Sequence, residues 1–187
     1  ELISKGAIGT IVTVDAELNF PTEPKDNIRF SNSLGGGALW DVGCYAVYAA
    51  RYVLDAEPIR VHGVSYDSGN WGVDTTFCGL MEFEGGTIAN VKGSMEELFL
   101  CQISINGSNG RIKIPNMFDD SGPIIITTVD LQDCKSEQTI TVPAPDRFMV
   151  QLDEFSRCIL ADRHPKFPAH DGLKNTSTLQ ALYEIGR

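Results

Sequence analysis

GGGALWDVGCY, at residues 35–45, opens a helical pattern that continues to Leu54. A glycine run lets another group approach the backbone closely, and the start of a helix carries a partial positive charge with unpaired N–H groups. Asp41 and Tyr45 stand four residues apart, so their side chains leave the same side of the first helical turns. The sequence therefore predicts a helix from about Ala38 to Leu54 that presents a carboxylate beside a phenol.

This carboxylate–phenol pair is a candidate for proton transfer, and two structural alternatives stay open beside it. A phenol has a pKa of about 10, so it acts as a base at neutral pH only beside a cation. No lysine suited to that role adjoins the helix in the sequence. Alternatively, the hydroxyl of Tyr45 is satisfied by Asp41 acting as a helix cap. The glycines lack the GxGxxG spacing of dinucleotide-binding loops, and in that case they form a tightly packed helix start.

Strand patterns dominate the sequence outside this helix. Residues 11–20 alternate strictly between apolar and polar, which is typical of a half-buried strand, and residues 21–34 form a long polar loop. Turn signals such as residues 84–86 divide the later strands into sequential hairpins. The further predicted strands are 59–66, 73–83, 87–95, 98–105, 111–114, 124–129 and 138–142, and the further helices are 148–162 after an Asp146 cap and 173–185 after a candidate Asp171 cap.

Sequential hairpins followed by helices indicate an α+β domain, with a large predominantly antiparallel sheet and helices packed on one face. Leu80, Ile88, Ile105 and Ile114 fall on the apparently less apolar faces of their strands. Apolar groups exposed on a sheet favour a protein partner. We therefore predict that the other face of the sheet is available for oligomerisation, in a homodimer or a homotetramer.

The composition excludes several classes of partner. The 187 residues include 15 basic and 25 acidic ones, a formal charge of -10, so we predict neither a nucleic-acid nor a membrane partner. No apolar run approaches the roughly 18 residues of a membrane span. The five cysteines are odd in number and form no CxxC pair, and the three histidines lack metal-ligand spacing. These patterns predict free thiols in a reducing, cytoplasmic compartment and no metal site.

The whole string at residues 35–45 resembles the GGGxxxDxGxH/Y motif of the Gfo/Idh/MocA oxidoreductases, the relatives of glucose–fructose oxidoreductase and inositol dehydrogenase. The resemblance extends over nearly the whole chain. It includes Arg29, which stands before the glycines as it commonly does in that family. The other matching stretches are 6–9, 50–54, 57–58, 73–74, 83–86 and 107–110.

The resemblance implies that residues 1–187 are the C-terminal, substrate-binding and oligomerisation domain of an NAD(P)-dependent oxidoreductase. Family members place a Rossmann dinucleotide-binding domain first, with a catalytic lysine in a Glu-Lys-Pro motif. Neither feature occurs in this sequence, which begins at Glu1 without a methionine. We therefore expect that the N-terminal domain is absent from this chain, that it binds most of the NAD or NADP, and that its lysine is the missing cation.

The family motif also implies a role for each site residue. Tyr45 occupies the position of the proton donor or acceptor at the substrate oxygen, and Asp41 would orient the substrate. Gly35, Gly36 and Gly37 would let the helix start approach the cofactor or the sugar. Arg29 would bind a substrate hydroxyl or a cofactor phosphate. The implied substrate is a sugar, a polyol or a related cyclic alcohol, oxidised or reduced by hydride transfer.

A rival hypothesis from another class is a non-catalytic ligand-binding or assembly domain on the same fold, because a fold does not dictate a function. The glycine fingerprint and the lysine in an upstream domain would distinguish the enzyme from this rival. A biliverdin-type reductase branch of the same superfamily is disfavoured by the motif at residues 35–45.

Overall fold

The computed structural model describes residues 1–24, 26–117, 123–129, 135–142 and 146–186. Within them a single sheet of eight strands is accompanied by three α-helices, which confirms the predicted α+β class. The strands are β1 (Ile11–Asn19), β2 (Arg60–Tyr66), β3 (Thr76–Glu82), β4 (Ile88–Ser94), β5 (Leu100–Gly107), β6 (Gly110–Ile114), β7 (Pro123–Val129) and β8 (Lys135–Thr141). The helices are α1 (Cys44–Leu54), α2 (Arg147–Leu160) and α3 (Ala169–Ile185), and a π-helical segment at Leu39–Gly43 leads into α1.

The strand order is β2-β3-β4-β1-β5-β6-β7-β8. The first strand is inserted into the middle of the sheet, where Ala16 pairs with Val91 of β4 in parallel and with Ile103 of β5 in antiparallel orientation. All other pairings of the described strands are antiparallel. The sheet is therefore predominantly antiparallel, as predicted, with one parallel pair at its centre.

The two faces of the sheet differ in character because side chains alternate along each strand. In β1, Val14, Ala16 and Leu18 are buried, whereas Asp15 and Glu17 lie on the other face. The π-helical segment, α1 and α3 pack on the buried face and cover β1 to β4. The site helix, α1, is consequently packed on the sheet, and within the described residues the opposite face, here called the open face, carries no helix.

Two of the four apolar residues assigned to the open face, Ile105 and Ile114, were placed wrongly. Ile105 is buried, because it pairs with Val14 in the register of β1 and β5 and so shares the core face. Ile114 is partly buried against the core, because the register of β5 and β6 places it on the core face. Leu80 and Ile88 are exposed on the open face, as predicted.

The predicted N-terminal boundary of the last helix was also wrong. This helix, α3, begins at Ala169, so Asp171 lies inside its first turn rather than at its cap. The carboxylate of Asp171 instead accepts a hydrogen bond of 3.1 Å from the buried guanidinium of Arg51. Two further hydrogen bonds, of 2.7 and 2.8 Å, join Arg51 to Glu57. This cluster fastens the end of α1 to α3.

The preceding helix, α2, begins as predicted but remains largely uncovered. Asp146 caps it by accepting hydrogen bonds of 2.8 and 3.2 Å from the amides of Phe148 and Met149. Its apolar stripe is exposed in the described structure, at Phe148, Leu152, Phe155 and Ile159.

The four described cysteines are free thiols, and Cys134 lies outside the described residues. Among the described histidine, cysteine and acidic side chains, no group of three is arranged to hold a metal ion. None of the described helices is long and apolar enough to cross a bilayer.

Candidate active site

Two of the three glycines before the site helix are required by contacts within the chain. A Cβ on Gly36 would lie 2.3 Å from the carbonyl oxygen of Arg29, and the amide of Gly37 donates a 2.9 Å hydrogen bond to that oxygen. Gly37 also has a φ of +122°, which favours glycine. A Cβ on Gly35 would have nothing within 4 Å. The backbone of Arg29 is thereby held against the helix start, and Gly35 alone of the three faces open space.

Asp74 fixes the first turn of the site helix, a role that the sequence analysis missed. Its carboxylate Oδ2 accepts a 2.7 Å hydrogen bond from the amide of Leu39, and its carbonyl oxygen accepts one of 2.7 Å from Ala38. The second oxygen, Oδ1, is buried without a hydrogen-bond partner in the described structure, and a Cβ on Gly37 would lie 2.3 Å from it. Burial raises the pKa of Asp74. The only sequence signal was its place in a stretch that resembled the family.

Arg29 and Asp41 form an ion pair at the start of the site. The Nε of Arg29 donates to Oδ2 of Asp41 over 2.7 Å, and their side chains are 41% and 27% exposed. Within the described part of the chain, the terminal NH₂ groups of this guanidinium make no further hydrogen bond, so they can reach a ligand. The structure thus brings together two residues predicted to bind substrate. Since Asp74 caps the helix start, Asp41 is not needed as the cap that the alternative interpretation assumed.

Tyr45 lies in the first turn of α1, directly after the π-helical segment, and is 47% exposed. The sequence predicted a continuous helix from residue 38, but residues 39–43 form a π turn. Such turns are rare and often occur at functional sites. Neither Asp41 nor Tyr45 is sealed inside the core, so a ligand can reach both side chains.

The neighbouring Cys44 is unsuited to nucleophilic chemistry. Burial, assisted by the negative charge of Asp41, raises the pKa of its thiol to about 11. At neutral pH the sulfur is therefore almost entirely protonated, and the thiolate is the reactive form. The chemistry available at this helix start is proton transfer and hydrogen bonding by the partly exposed acid and guanidinium and by the exposed phenol.

The two later tyrosines of this helix stripe contact each other and a loop residue. An aromatic stripe at helical spacing favours packing on the sheet, and the contacts observed are different. The rings of Tyr48 and Tyr52 stack on each other with centroids 6.1 Å apart, and Phe167 closes against both. Burial raises the pKa of Tyr48. These rings are covered by the segment before α3, whose position no local pattern could have revealed.

A hollow of about 540 Å³ lies on the open face of the sheet, away from this site. Leu80, Val64 and Cys78 line it together with charged side chains such as Glu17 and Lys92. The site helix packs on the opposite face. The hollow therefore belongs to the face predicted for oligomerisation and not to the candidate active site.

Comparison with known proteins gives one family and a consistent set of relatives. A family model described as the GFO/IDH/MocA C-terminal domain matches residues 1–113. The chain is 28% identical over 178 residues to D-xylose 1-dehydrogenase (NADP(+)) 2 of Haloferax volcanii, covering 95% of this chain and 54% of the relative. It is 30% identical over 182 residues to dTDP-3,4-didehydro-2,6-dideoxy-alpha-D-glucose 3-reductase of Saccharopolyspora spinosa, covering 96% and 54%.

Two solved structures are similar over the whole chain. The aldose-aldose oxidoreductase of Caulobacter crescentus, complexed with glycerol, superimposes with a TM-score of 0.87 at 28% identity, covering 100% of this chain and 56% of that one. A 3-ketoreductase of Actinomadura kijaniata, in complex with TDP-benzene and NADP, has a TM-score of 0.87 at 26% identity, with coverages of 100% and 57%. The chain spans about half the length of the curated relatives it matches.

Proposed function

This chain belongs to the GFO/IDH/MocA C-terminal domain family, and from that premise we propose that it binds the substrate of an oxidoreductase. In the proposed reaction a hydride passes between NAD(P) and a hydroxyl-bearing carbon of a sugar, a polyol or a related cyclic alcohol. The proposal is carried by the partly exposed Asp41 and the exposed Tyr45, which stand four residues apart at a helix start fixed by Asp74. The names of the relatives favour NADP and sugar substrates.

Each exposed side chain has a definite task in this proposal. In the reducing direction Tyr45 donates a proton to the substrate oxygen as the adjacent carbon gains a hydride. In the oxidising direction Tyr45 accepts the hydroxyl proton as the carbon loses its hydride. Asp41 accepts a hydrogen bond from a neighbouring hydroxyl, and Arg29 holds this carboxylate in position through its 2.7 Å contact. General acid–base assistance of this kind contributes roughly 10²–10⁴ in rate.

The nicotinamide supplies the hydride, and the helix start offers room for it. There is space beside Gly35 for part of the cofactor, because a Cβ at this position would have nothing within 4 Å. Most of the cofactor site is proposed to lie in a separate nucleotide-binding domain, the Rossmann domain that family members place first. The exposed apolar stripe of α2 supports the existence of such a second domain, which would supply an apolar cover.

The 187-residue chain alone is expected to show no dehydrogenase activity and no saturable binding of NADH or NADPH. The reason is that the described residues contain no glycine-rich strand-to-helix turn of the dinucleotide-binding kind. Calorimetry and the fluorescence of the reduced nicotinamide measure both cofactors directly. Saturable binding of NADH or NADPH by the isolated chain would contradict the proposal that a separate domain binds the cofactor. An intact protein that binds NADPH but transfers no hydride to any sugar or polyol would favour the non-catalytic rival.

The open face of the sheet is proposed to form the contact between subunits of a homodimer or a homotetramer. Val64, Tyr66, Leu80 and Ile88 are all exposed on this face. Such apolar side chains on a sheet surface mark a protein contact, and the mixed charges around the hollow allow the same surface to complement itself.

Replacing Val64 with glutamate is expected to shift this assembly to the monomer, because an unpaired charge would be buried in an apolar contact. Light scattering coupled to size-exclusion chromatography measures the mass. Leu160→Glu, at an exposed position of α2, is the matched control and should leave the mass unchanged. An unchanged oligomer in Val64→Glu, or a monomeric parent protein, would overturn the assignment of this face.

A further inference from the structure

A second cavity lies beside the candidate active site, and the proposed reaction does not use it. It has a volume of about 370 Å³ and is lined by Phe30, Trp71 and Met95 together with the acidic residues Glu23 and Glu96. We refer to it as the Phe30–Trp71 cavity. Its volume falls in the range of about 300–1,000 Å³ found for small-molecule sites.

One lining residue, Phe30, links the cavity to the start of the site helix, because it packs against the buried cluster that contains Val42. Phe30 directly follows Arg29, whose guanidinium contacts Asp41. The ring of Phe30 meets the indole of Trp71 edge to face, with centroids 5.5 Å apart and an angle of 70° between the planes. The subsite proposed below requires a ligand at Tyr45 to extend past Asp41 and Arg29 to these two rings.

Trp71 is exposed, yet it is held in place from several sides. The carboxylate of Asp67 accepts hydrogen bonds from the amides of Trp71, Gly72 and Gly69 at 2.9, 2.8 and 3.3 Å. A Cβ on Gly69 would lie 2.0 Å from the indole nitrogen, so the indole rests directly on this glycine. The ring is 44% exposed. A large aromatic surface fixed in one conformation loses little conformational entropy when it binds a ligand.

The chemistry of the walls selects a type of ligand. A sugar ring has a C–H face that packs on an aromatic ring and hydroxyl groups that donate hydrogen bonds to carboxylates. Glu96 is ordered, because it accepts a 3.0 Å hydrogen bond from the hydroxyl of Thr75 and a second one from that of Ser68. The described lining residues carry two carboxylates and no basic group, which disfavours an anionic group such as a phosphate inside the cavity.

We propose that the Phe30–Trp71 cavity is a subsite for a neutral sugar ring that does not itself react. The substrate is then an uncharged disaccharide or glycoside, with its reacting ring at Tyr45 and its second ring on Trp71. This inference rests on the proposed function for the position of the reacting ring. The second ring supplies binding energy away from the reacting carbon, which positions that carbon.

The two tryptophans of the chain provide a direct test. In the Trp40→Phe variant all indole emission comes from Trp71, whereas in Trp71→Phe it comes from Trp40, which packs on Tyr183. The chain is titrated with cellobiose, maltose and D-xylose. At least one disaccharide is expected to change the emission of Trp40→Phe saturably. Calorimetry should show that Trp71→Ala binds the disaccharide at least tenfold more weakly than the parent chain, and that Trp71→Phe recovers part of the affinity. The parent chain should bind D-xylose and dTDP-glucose more weakly than it binds the disaccharide.

Three results would overturn the subsite: no saturable binding of either disaccharide, equal disaccharide affinity in folded Trp71→Ala, or tighter binding of dTDP-glucose. Circular dichroism establishes that each variant is folded. The measurement needs no cofactor and no turnover, so it is independent of the proposed reaction. Loss of hydride transfer with intact disaccharide binding would count against the proposed function alone, whereas active enzyme without this binding would count against the subsite alone.

Discussion

Replacing Tyr45 with phenylalanine in the intact oxidoreductase is expected to lower kcat by about a hundredfold or more, which is the contribution typical of general acid–base catalysis. The substitution removes only the hydroxyl from a side chain that is about half exposed, so the helix and its packing should persist. Affinity for NADPH should change little, because the cofactor is bound mainly by the other domain. Steady-state kinetics with a sugar substrate and NADPH titrations measure the two quantities.

Tyr52→Phe is the matched control for this substitution. Tyr52 belongs to the same helix stripe and is also about half exposed, but its ring contacts Tyr48 and Phe167, about three turns further along the helix than Asp41. Its kcat should therefore remain close to that of the parent. Near-normal turnover in Tyr45→Phe would remove this hydroxyl from the proton path, and equal losses in both variants would indicate a structural effect of the stripe.

Local periodicity and turn signals were sufficient to predict the strands and the antiparallel pairs β3–β4, β5–β6 and β7–β8, and they were insufficient to place β1 in the sheet. The strict alternation of residues 11–20 predicted β1 to within one residue, because a half-buried strand needs that period. The parallel pairing of β1 with β4 had no local signal, since strands distant in the chain are joined by the packing of their core faces. The misplaced Ile105 has the same origin, because its face depends on the register with Val14.

The site residues that lie on one helix could be predicted from the sequence. The contacts between segments distant in the sequence could not. The spacing of Asp41 and Tyr45 placed both on one helix, and resemblance to a family added Arg29. The contact of Arg29 with Asp41 spans 12 residues of irregular loop, so no periodic pattern could predict it. The bond from Leu39 to Asp74 spans 35 residues and depends on where β3 begins. The acidic residue that caps the helix was for this reason not identified.

The glycine run was interpreted as a place where a ligand approaches the backbone, and the structure assigns different duties to its members. Gly36 and Gly37 give room to Arg29 and Asp74 of the same chain. Gly35 alone is adjacent to open space. A glycine motif does not reveal whether the group that approaches each glycine is another segment of the chain or a ligand. Either neighbour requires a residue without a Cβ.

Replacing Gly37 with alanine is expected to destabilise the fold by about 2–6 kcal/mol, the sum of backbone strain and overpacking. The new Cβ would lie 2.3 Å from the Asp74 carboxylate, at a φ of +122° that alanine rarely adopts. The carboxylate would have to move, and the amide of Leu39 would lose its 2.7 Å partner. Equilibrium unfolding in urea, followed by circular dichroism, measures the free energy of unfolding.

Comparison of Gly35→Ala with Gly37→Ala distinguishes a role of the three glycines in the fold from a role in ligand binding. Its φ of +73° costs alanine about 1–2 kcal/mol, and its Cβ would contact nothing within 4 Å. We therefore expect a smaller loss of stability than in Gly37→Ala, together with a raised KM for NADPH or sugar in the intact enzyme. If Gly37→Ala unfolds at the same urea concentration as the parent, Asp74 does not fix the helix start as described. If Gly35→Ala keeps normal kinetics, no ligand approaches that position, and the motif serves the architecture of the helix alone.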